Sequence, residues 1–291
     1  MRTFPECVPC LMSQMLYALE KTSLMKDEKN EFYYRWVKEI AKNVPQTTPM
    51  ELATSLHKEI RDLSGEDPYK EIKELSTKLL KKNERLIRSH YKRSQELSDI
   101  LSLVICGNLI DIKSHAELGR LNMEAILEKG LSKKFAIDHS ETFKKRIEDA
   151  NNILYLGDNA GEIYFDKYFV KWLQEKGKKV YFVVRGDNIL NDATLKEAKE
   201  CNIEDYCFKV INNGHHAPGT MIKECSEEFK KIYKKADLVI SKGQGNLETL
   251  IDNREKDIFF LLLTKCPAIS NLLGTKIKDA VIVYNMKLET E

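Results

Sequence analysis

Two stretches of this chain place acid and amide side chains where apolar segments end. The first, Gly157-Asp158-Asn159-Ala160-Gly161-Glu162, follows Ile153–Leu156. The second runs from Arg185 through Asn191-Asp192-Ala193 to Thr194 and follows Val180–Val184. Asp and Asn are hard oxygen donors of the kind that hold a divalent cation. Asp192 is a better ligand candidate than Asn191, because a carboxylate also neutralises cation charge. Arg185 offers a planar fork suited to a phosphate. The amides of Ala160 and Gly161 would open a helix, and a helix start attracts anions. Each stretch also has a plainer reading as a helix cap, since Asp and Asn are the best N-cap residues. Two such stretches one strand-helix unit apart are harder to dismiss than one.

Three further clusters bear on chemistry. In Ser241–Leu250, Gly243 and Gly245 free the backbone to approach an anion, and Lys242 is a point charge suited to a phosphoryl group. The spacing is not that of a Walker loop, and the plain alternative is a Gly-rich turn with Asn246 capping a helix that contains Glu248. Asn212–Thr220 is a turn-rich loop whose His215 and His216 cannot both serve one metal on a regular backbone; one can face a substrate, or both can be solvated. Cys7 and Cys10 form a CxxC pair, too few ligands for a tetrahedral structural zinc site. A GxSxG elbow is missing, and neither Cys nor Ser is clearly paired with a base. Metal-and-phosphate chemistry is therefore favoured over acyl transfer.

These clusters need elements to position them. Thr48-Pro49-Met50-Glu51 is a capping box with Pro in the first turn, and Leu52, Leu56, Ile60 and Leu63 follow at helical spacing. Further helical patterns cover Pro68 to Arg93, Glu96 to Ile112 and the stretch from Ser140 to Asn151. Beyond residue 150 the pattern alternates. Strands are expected at Ile153–Leu156, Val180–Val184, Cys207–Val210, Asp237–Ile240, Ile258–Leu263 and Ala280–Tyr284. Helices are expected between them, around Ile163–Glu175, Ala193–Glu200, Ser226–Lys234, Leu247–Ile251 and Ile269–Leu273. Alternation of this kind implies a mostly parallel sheet with helices on both faces. The expected organisation is α/β, with a helical region over residues 1–150 and a Rossmann-like domain over 151–291. Such a sheet binds its ligand beyond the carboxyl ends of its strands, where the acid and amide clusters fall.

Composition sets bounds. With 291 residues, 42% of them hydrophobic, the chain can bury a real core. Its net charge of +2 argues against an extended nucleic-acid footprint. Seven scattered Cys, an odd count, do not make a disulfide framework. The longest apolar run, Ile258–Leu263, is too short to cross a bilayer. The first residues lack a signal pattern, so a cytoplasmic location is expected, with no membrane and no nucleic-acid partner.

Read together, the motifs resemble the damage-control phosphatase family, formerly grouped as DUF89. They are most similar to its archaeal and bacterial subfamily I, which carries an N-terminal CxxC. The matching stretches are Glu6–Cys10, Gly107–Asp111, Gly157–Glu162, Val184–Thr194, Ala217–Thr220 and Ala236–Leu250, in order along nearly the whole chain. The resemblance implies a metal-dependent phosphatase acting on small phosphometabolites, such as sugar phosphates or damaged cofactor precursors. It implies a metal on Asp158, Asn159 and Asp192, and Lys242 facing the phosphate. Lys242 and the amides near Gly161 and Gly243 would stabilise the phosphoryl oxygens, with Arg185 and Asn246 nearby and Glu162 or Asp192 positioning water. Asn108 and Asp111 would reach in from the helical half. Three oxygen ligands suit Mg²⁺ or Mn²⁺, and the resemblance adds Co²⁺ and Ni²⁺. His215-His216 and Leu247 depart from the family pattern in loops near the substrate. A non-catalytic nucleotide or sugar-phosphate sensor and a Cys7–Cys10 redox switch are the competing readings.

Overall fold

The computed structural model describes residues 1–44, 46–94, 96–110 and 121–288. Its first part contains the helices α1 (Cys7–Glu20), α2 (Lys26–Asn43), α3 (Pro49–Ser64), α4 (Lys70–Tyr91), α5 (Leu97–Asn108) and α6 (Met123–Leu131). The start of α3 follows from its capping box. The Glu51 N–H donates to Thr48 Oγ1 at 3.2 Å, and the Thr48 N–H donates to the Glu51 carboxylate at 2.8 Å. Gly65, at φ +69°, ends the helix in the left-handed conformation. Between these signals Leu52, Ala53, Leu56 and Ile60 fall on one face and pack with Met15, Phe32 and Trp36 of α1 and α2.

Strand and helix then alternate: β1 (Phe135–Asp138), α7 (Ser140–Asp149), β2 (Asn152–Leu156), α8 (Ile163–Glu175), β3 (Lys179–Val184), α9 (Leu195–Cys201), β4 (Lys209–Asn212), α10 (Glu227–Lys235), β5 (Leu238–Lys242), α11 (Gln244–Leu250), β6 (Ile258–Leu263), α12 (Pro267–Leu273) and β7 (Ala280–Tyr284). The strands form one sheet in the order β1-β7-β6-β5-β2-β3-β4. All neighbours are parallel except β6 and β7, which run antiparallel.

Period-two alternation sends successive side chains to opposite faces. Tyr155, Phe182, Ile240 and Phe259 join one buried cluster with α7, α8 and α9. Leu154, Val183, Val239 and Phe260 join another with α10, α11 and α12. The first cluster continues without a break into α4 and α5 through Leu80, Ile87, Leu103 and Val104. Among the described residues, no helix is long and apolar enough to cross a membrane.

The α/β architecture with helices on both faces is as expected from the sequence, and four details differ. β1 went unrecognised, because four residues on a sheet edge carry too short a pattern to stand out. β7 runs antiparallel to β6, which is possible because α12 and its connection return the chain on the same side. β4 begins at Lys209 rather than Cys207; its register is set by pairing Tyr181 with Lys209 through Val184 with Asn212. β5 extends to Lys242, two residues past its expected end.

This order has a reversal in its middle. From β2 the chain moves outward to β3 and β4, then returns to β5 on the other side of β2 and continues to β6. The carboxyl ends of β2 and β5 therefore flank a topological switch point, where open α/β sheets form their binding crevice.

Candidate active site

Backbone pairing brings the two acid-and-amide loops together beyond this crevice. The Ala193 N–H donates to the Asp158 carbonyl at 2.8 Å, and the Ala160 N–H donates to the Asn191 carbonyl at 2.9 Å. Asn159 and Asp192 form an isolated antiparallel bridge. The loop after β2 and the loop after β3 are thus stitched side by side. Neither loop spends its acids on capping. Thr194 caps α9, aided by Glu197, and the turn before α8 makes no side-chain cap at all. The plain capping alternative therefore does not account for Asp158, Asn159 or Asp192.

All three line one cavity of about 220 Å³, together with Asn108, Gly243, Gln244 and Glu248. Asp158 lies directly over Gly243: a Cβ built there would stand 1.9 Å from Asp158 Oδ2. Gly243 also has φ +80°, so the position excludes other residues twice over. Burial first, then the neighbouring Asp192 and Glu162, hold the Asp158 carboxyl well above the ordinary carboxylate range. Asp192 is also raised by burial, against the opposing pull of Arg185.

Arg185 is a buried hub. Its Nε donates to Asp192 Oδ2 at 2.6 Å, its Nη1 to Asn246 Oδ1 at 2.9 Å and Thr220 Oγ1 at 3.3 Å, and its Nη2 reaches Asp158 Oδ1 at 3.5 Å. With those donors committed inside the protein, the guanidinium ties the loops after β2 and β3, α11 and the Ala217–Thr220 loop together. It does not line the cavity. Asn246 sits within α11, and its amide also donates to the carbonyls of Lys242 and Gly157 at 2.8 and 3.2 Å. It bolts the loops that follow β2 and β5.

Lys242 is fully buried, and its ammonium donates to Asp166 Oδ1 at 2.8 Å and Glu162 Oε2 at 3.2 Å. The longer β5 explains this. Lys242 lies two residues after Ile240 and so faces the same side of the sheet, toward α8 and Tyr155. Burial alone would lower its pKa, but Asp166 and Glu162 outweigh that and raise it. Asp166 is itself raised to about 6 by burial, against the pull of Lys242. Glu162 passes the connection on: its Oε1 accepts from Asn159 Nδ2 at 2.9 Å. Lys242 thus stands two steps behind the cavity wall. Gly161 packs under α4, where a Cβ would lie 3.2 Å from Ser76 Cβ.

Asn108, at the last turn of α5, is buried on the cavity wall with its Oδ1 unpaired. Asp111 lies outside the described residues. The rings of His215 and His216 meet at 4.9 Å with a tilt of 43°, half-buried and away from the cavity wall. Cys7 and Cys10 are free thiols at the start of α1. Gln14 Nε2 donates to Cys10 Sγ at 3.3 Å, and Gln244 Nε2 to Cys266 Sγ at 3.1 Å; both glutamines line the cavity. Among the described residues, no three His, Cys, Asp or Glu side chains form a metal-holding group.

Asp166, Glu197 and Thr220 were missed as site residues. The signal for Asp166 was available: a lone acid inside the apolar run Tyr164-Phe165-Asp166-Lys167-Tyr168-Phe169 must find a partner if buried.

A mostly parallel sheet with a cavity at its switch point defines the general class, a Rossmann-like α/β protein. Comparison with known proteins is more specific. The damage-control phosphatase ARMT1-like domain matches residues 3–281, and the chain belongs to that family. It is 34% identical to an uncharacterized protein of Methanocaldococcus jannaschii, covering 96% of this chain and 94% of that one. It is 33% identical to a damage-control phosphatase of Pyrococcus horikoshii, covering 98% of each. The crystal structure of a DUF89 family protein from Pyrococcus horikoshii superimposes with a TM-score of 0.87 at 32% identity, covering 98% of this chain and 99% of that one.

Proposed function

We propose that this protein is a divalent-metal-dependent phosphatase that hydrolyses small phosphorylated metabolites. The observation that supports this most is the stitched pair of loops that sets Asp158, Asn159 and Asp192 side by side on one cavity wall, in a chain whose relatives include named damage-control phosphatases.

The donor set fits a hard cation: two carboxylates and an amide oxygen. Asn159 Nδ2 is engaged by Glu162, which leaves its Oδ1 as the ligand atom. Burial first, and neighbouring carboxylates after it, raise the pKa values of Asp158 and Asp192, and a bound cation would favour their ionised forms. Mg²⁺, Mn²⁺, Co²⁺ or Ni²⁺ held there would polarise phosphoryl oxygens and lower the pKa of a water.

The remaining roles belong to the chain. Arg185 fixes Asp192 and steadies Asp158. Lys242 orients Asn159 through Glu162, so in this reading it is a positioning residue. Of Glu162 and Asp192, only Asp192 lines the cavity, and it is assigned to orient the attacking water. The Gly243 backbone sits within reach of a phosphoryl group because nothing projects from it. Asn108 presents an unpaired oxygen to a substrate hydroxyl. The cavity has room for about seven waters at about 30 Å³ each, which suits a small metabolite rather than a polymer.

The test is phosphate release from p-nitrophenyl phosphate by metal-stripped protein, with Mg²⁺, Mn²⁺, Co²⁺ and Ni²⁺ restored singly. Turnover that returns with metal and is lost in Asp192→Ala supports the reading. Absence of turnover with all four metals, alongside tight binding of a phosphorylated ligand, would replace it with the non-catalytic sensor.

A further inference from the structure

We propose that Lys73, a buried lysine of the helical half, is a positioning residue that sets metal affinity by clamping the loop that carries Asp192. This rests on the phosphatase reading above and extends it to a residue outside the cavity. Lys73 is 3% exposed, and its Nζ donates to Asn188 Oδ1 at 2.6 Å and pairs with Asp67 at 2.7 Å. Glu197 Oε1 lies 4.0 Å away on the other side. Those contacts hold both ends of one segment. Asn188 opens it, and Glu197 is anchored to the N–H and hydroxyl of Thr194, which closes it. Between them lie Leu190, at φ +46°, and Asp192.

Leu190 is the reason a clamp is needed. A branched side chain in the left-handed region is unfavourable and persists only where the surroundings over-determine it. Without that turn the segment would not present Asp192 beside Asn159. Lys73 supplies a buried charge-assisted hydrogen bond, the stronger kind, to the segment's first residue. One turn further along α4, Ser76 packs against Gly161 of the partner loop. A single rigid helix therefore touches both loops of the ligand set.

The experiment measures Mn²⁺ dissociation constants of metal-stripped wild type, Lys73→Met and Asn188→Ala by titration calorimetry, with thermal unfolding and Mn²⁺-saturated turnover on the same samples. The expected result is at least tenfold weaker Mn²⁺ binding in both variants, with saturated turnover within about threefold of wild type. Asn188→Ala keeps the Lys73–Asp67 pair and stands as the deciding variant if Lys73→Met does not fold. Wild-type Mn²⁺ affinity in the folded variants, whatever happens to their melting temperature, would overturn the clamp. A wild type that binds none of the four metals would overturn the phosphatase reading, and this inference with it.

Discussion

Glu248 shows how one cavity residue can couple stability to pH. Burial raises its carboxyl from 4.5 to about 7, against the opposing hydrogen bond from Gln244. Below pH 4.5 the group is protonated in folded and unfolded chains alike and has no effect. As pH rises toward 7 the unfolded chain loses this proton while the folded one keeps it, so stability falls. The loss is complete above pH 7. That displacement corresponds to about 3 kcal/mol. Glu248→Gln keeps the shape and removes the titration. Its urea unfolding free energy should match wild type near pH 4 and exceed it by up to about 3 kcal/mol at pH 8. Equal differences at both pH values would mean that Glu248 does not titrate in this window.

Residues in and behind the cavity differ in how visible they are. Asp158, Asn159 and Asp192 could be singled out because each follows an apolar run, and the structure does bring them together. Arg185 and Asn246 stood out too, but their partners could not be read. The contacts join Arg185 to Thr220 and Asn246, and Asn246 to Gly157, across 35, 61 and 89 positions of chain. Local patterns carry no information about partners so far away.

At the scale of elements, the turn from β5 into α11 offers a controlled test. Gly243 and Gly177 both have a positive φ, +80° and +79°. A Cβ at Gly243 would strike Asp158, whereas one at Gly177 meets nothing within 4 Å. Both Ala substitutions should cost about 1–3 kcal/mol in left-handed strain. Only Gly243→Ala should also lose Mn²⁺ binding and turnover. Equal loss of activity in both, measured alongside urea unfolding, would show that Asp158 is not held where the site requires it. The same turn explains why Lys242 was expected at the phosphate. Gly243 was legible as a break, but the strand runs right up to it, and two extra strand residues decide which side of the sheet a side chain faces.

Across the whole molecule, one cluster joins α4 and α5 to α8 and one sheet face, while α1, α2 and α3 pack into a core of their own against it through Tyr69. Unfolding should then be a single transition. Mn²⁺ at a hundred times its dissociation constant should raise stability by about 2.7 kcal/mol, shifting that one transition, and should leave Asp158→Ala unmoved. Two transitions, of which only one responds to Mn²⁺, would mean that the halves unfold separately.

What could be known without coordinates was local. The capping box of α3, the apolar runs of β2, β3, β6 and β7, and the oxygen-rich loops after β2 and β3 are all written in residues a few positions apart. Spacing of that range sets helix or strand and the chemistry at its end. Folding in three dimensions added everything that depends on neighbours distant in sequence. The reversal of strand order at β2 and β5, the short edge strand β1, the antiparallel return of β7 and the stitching of two loops into one ligand set all follow from pairing. So does the withdrawal of Lys242 and Arg185 from the cavity wall. Each is a competition among partners for buried hydrogen-bonding groups, and that competition is resolved only once the sheet order has chosen who is adjacent to whom.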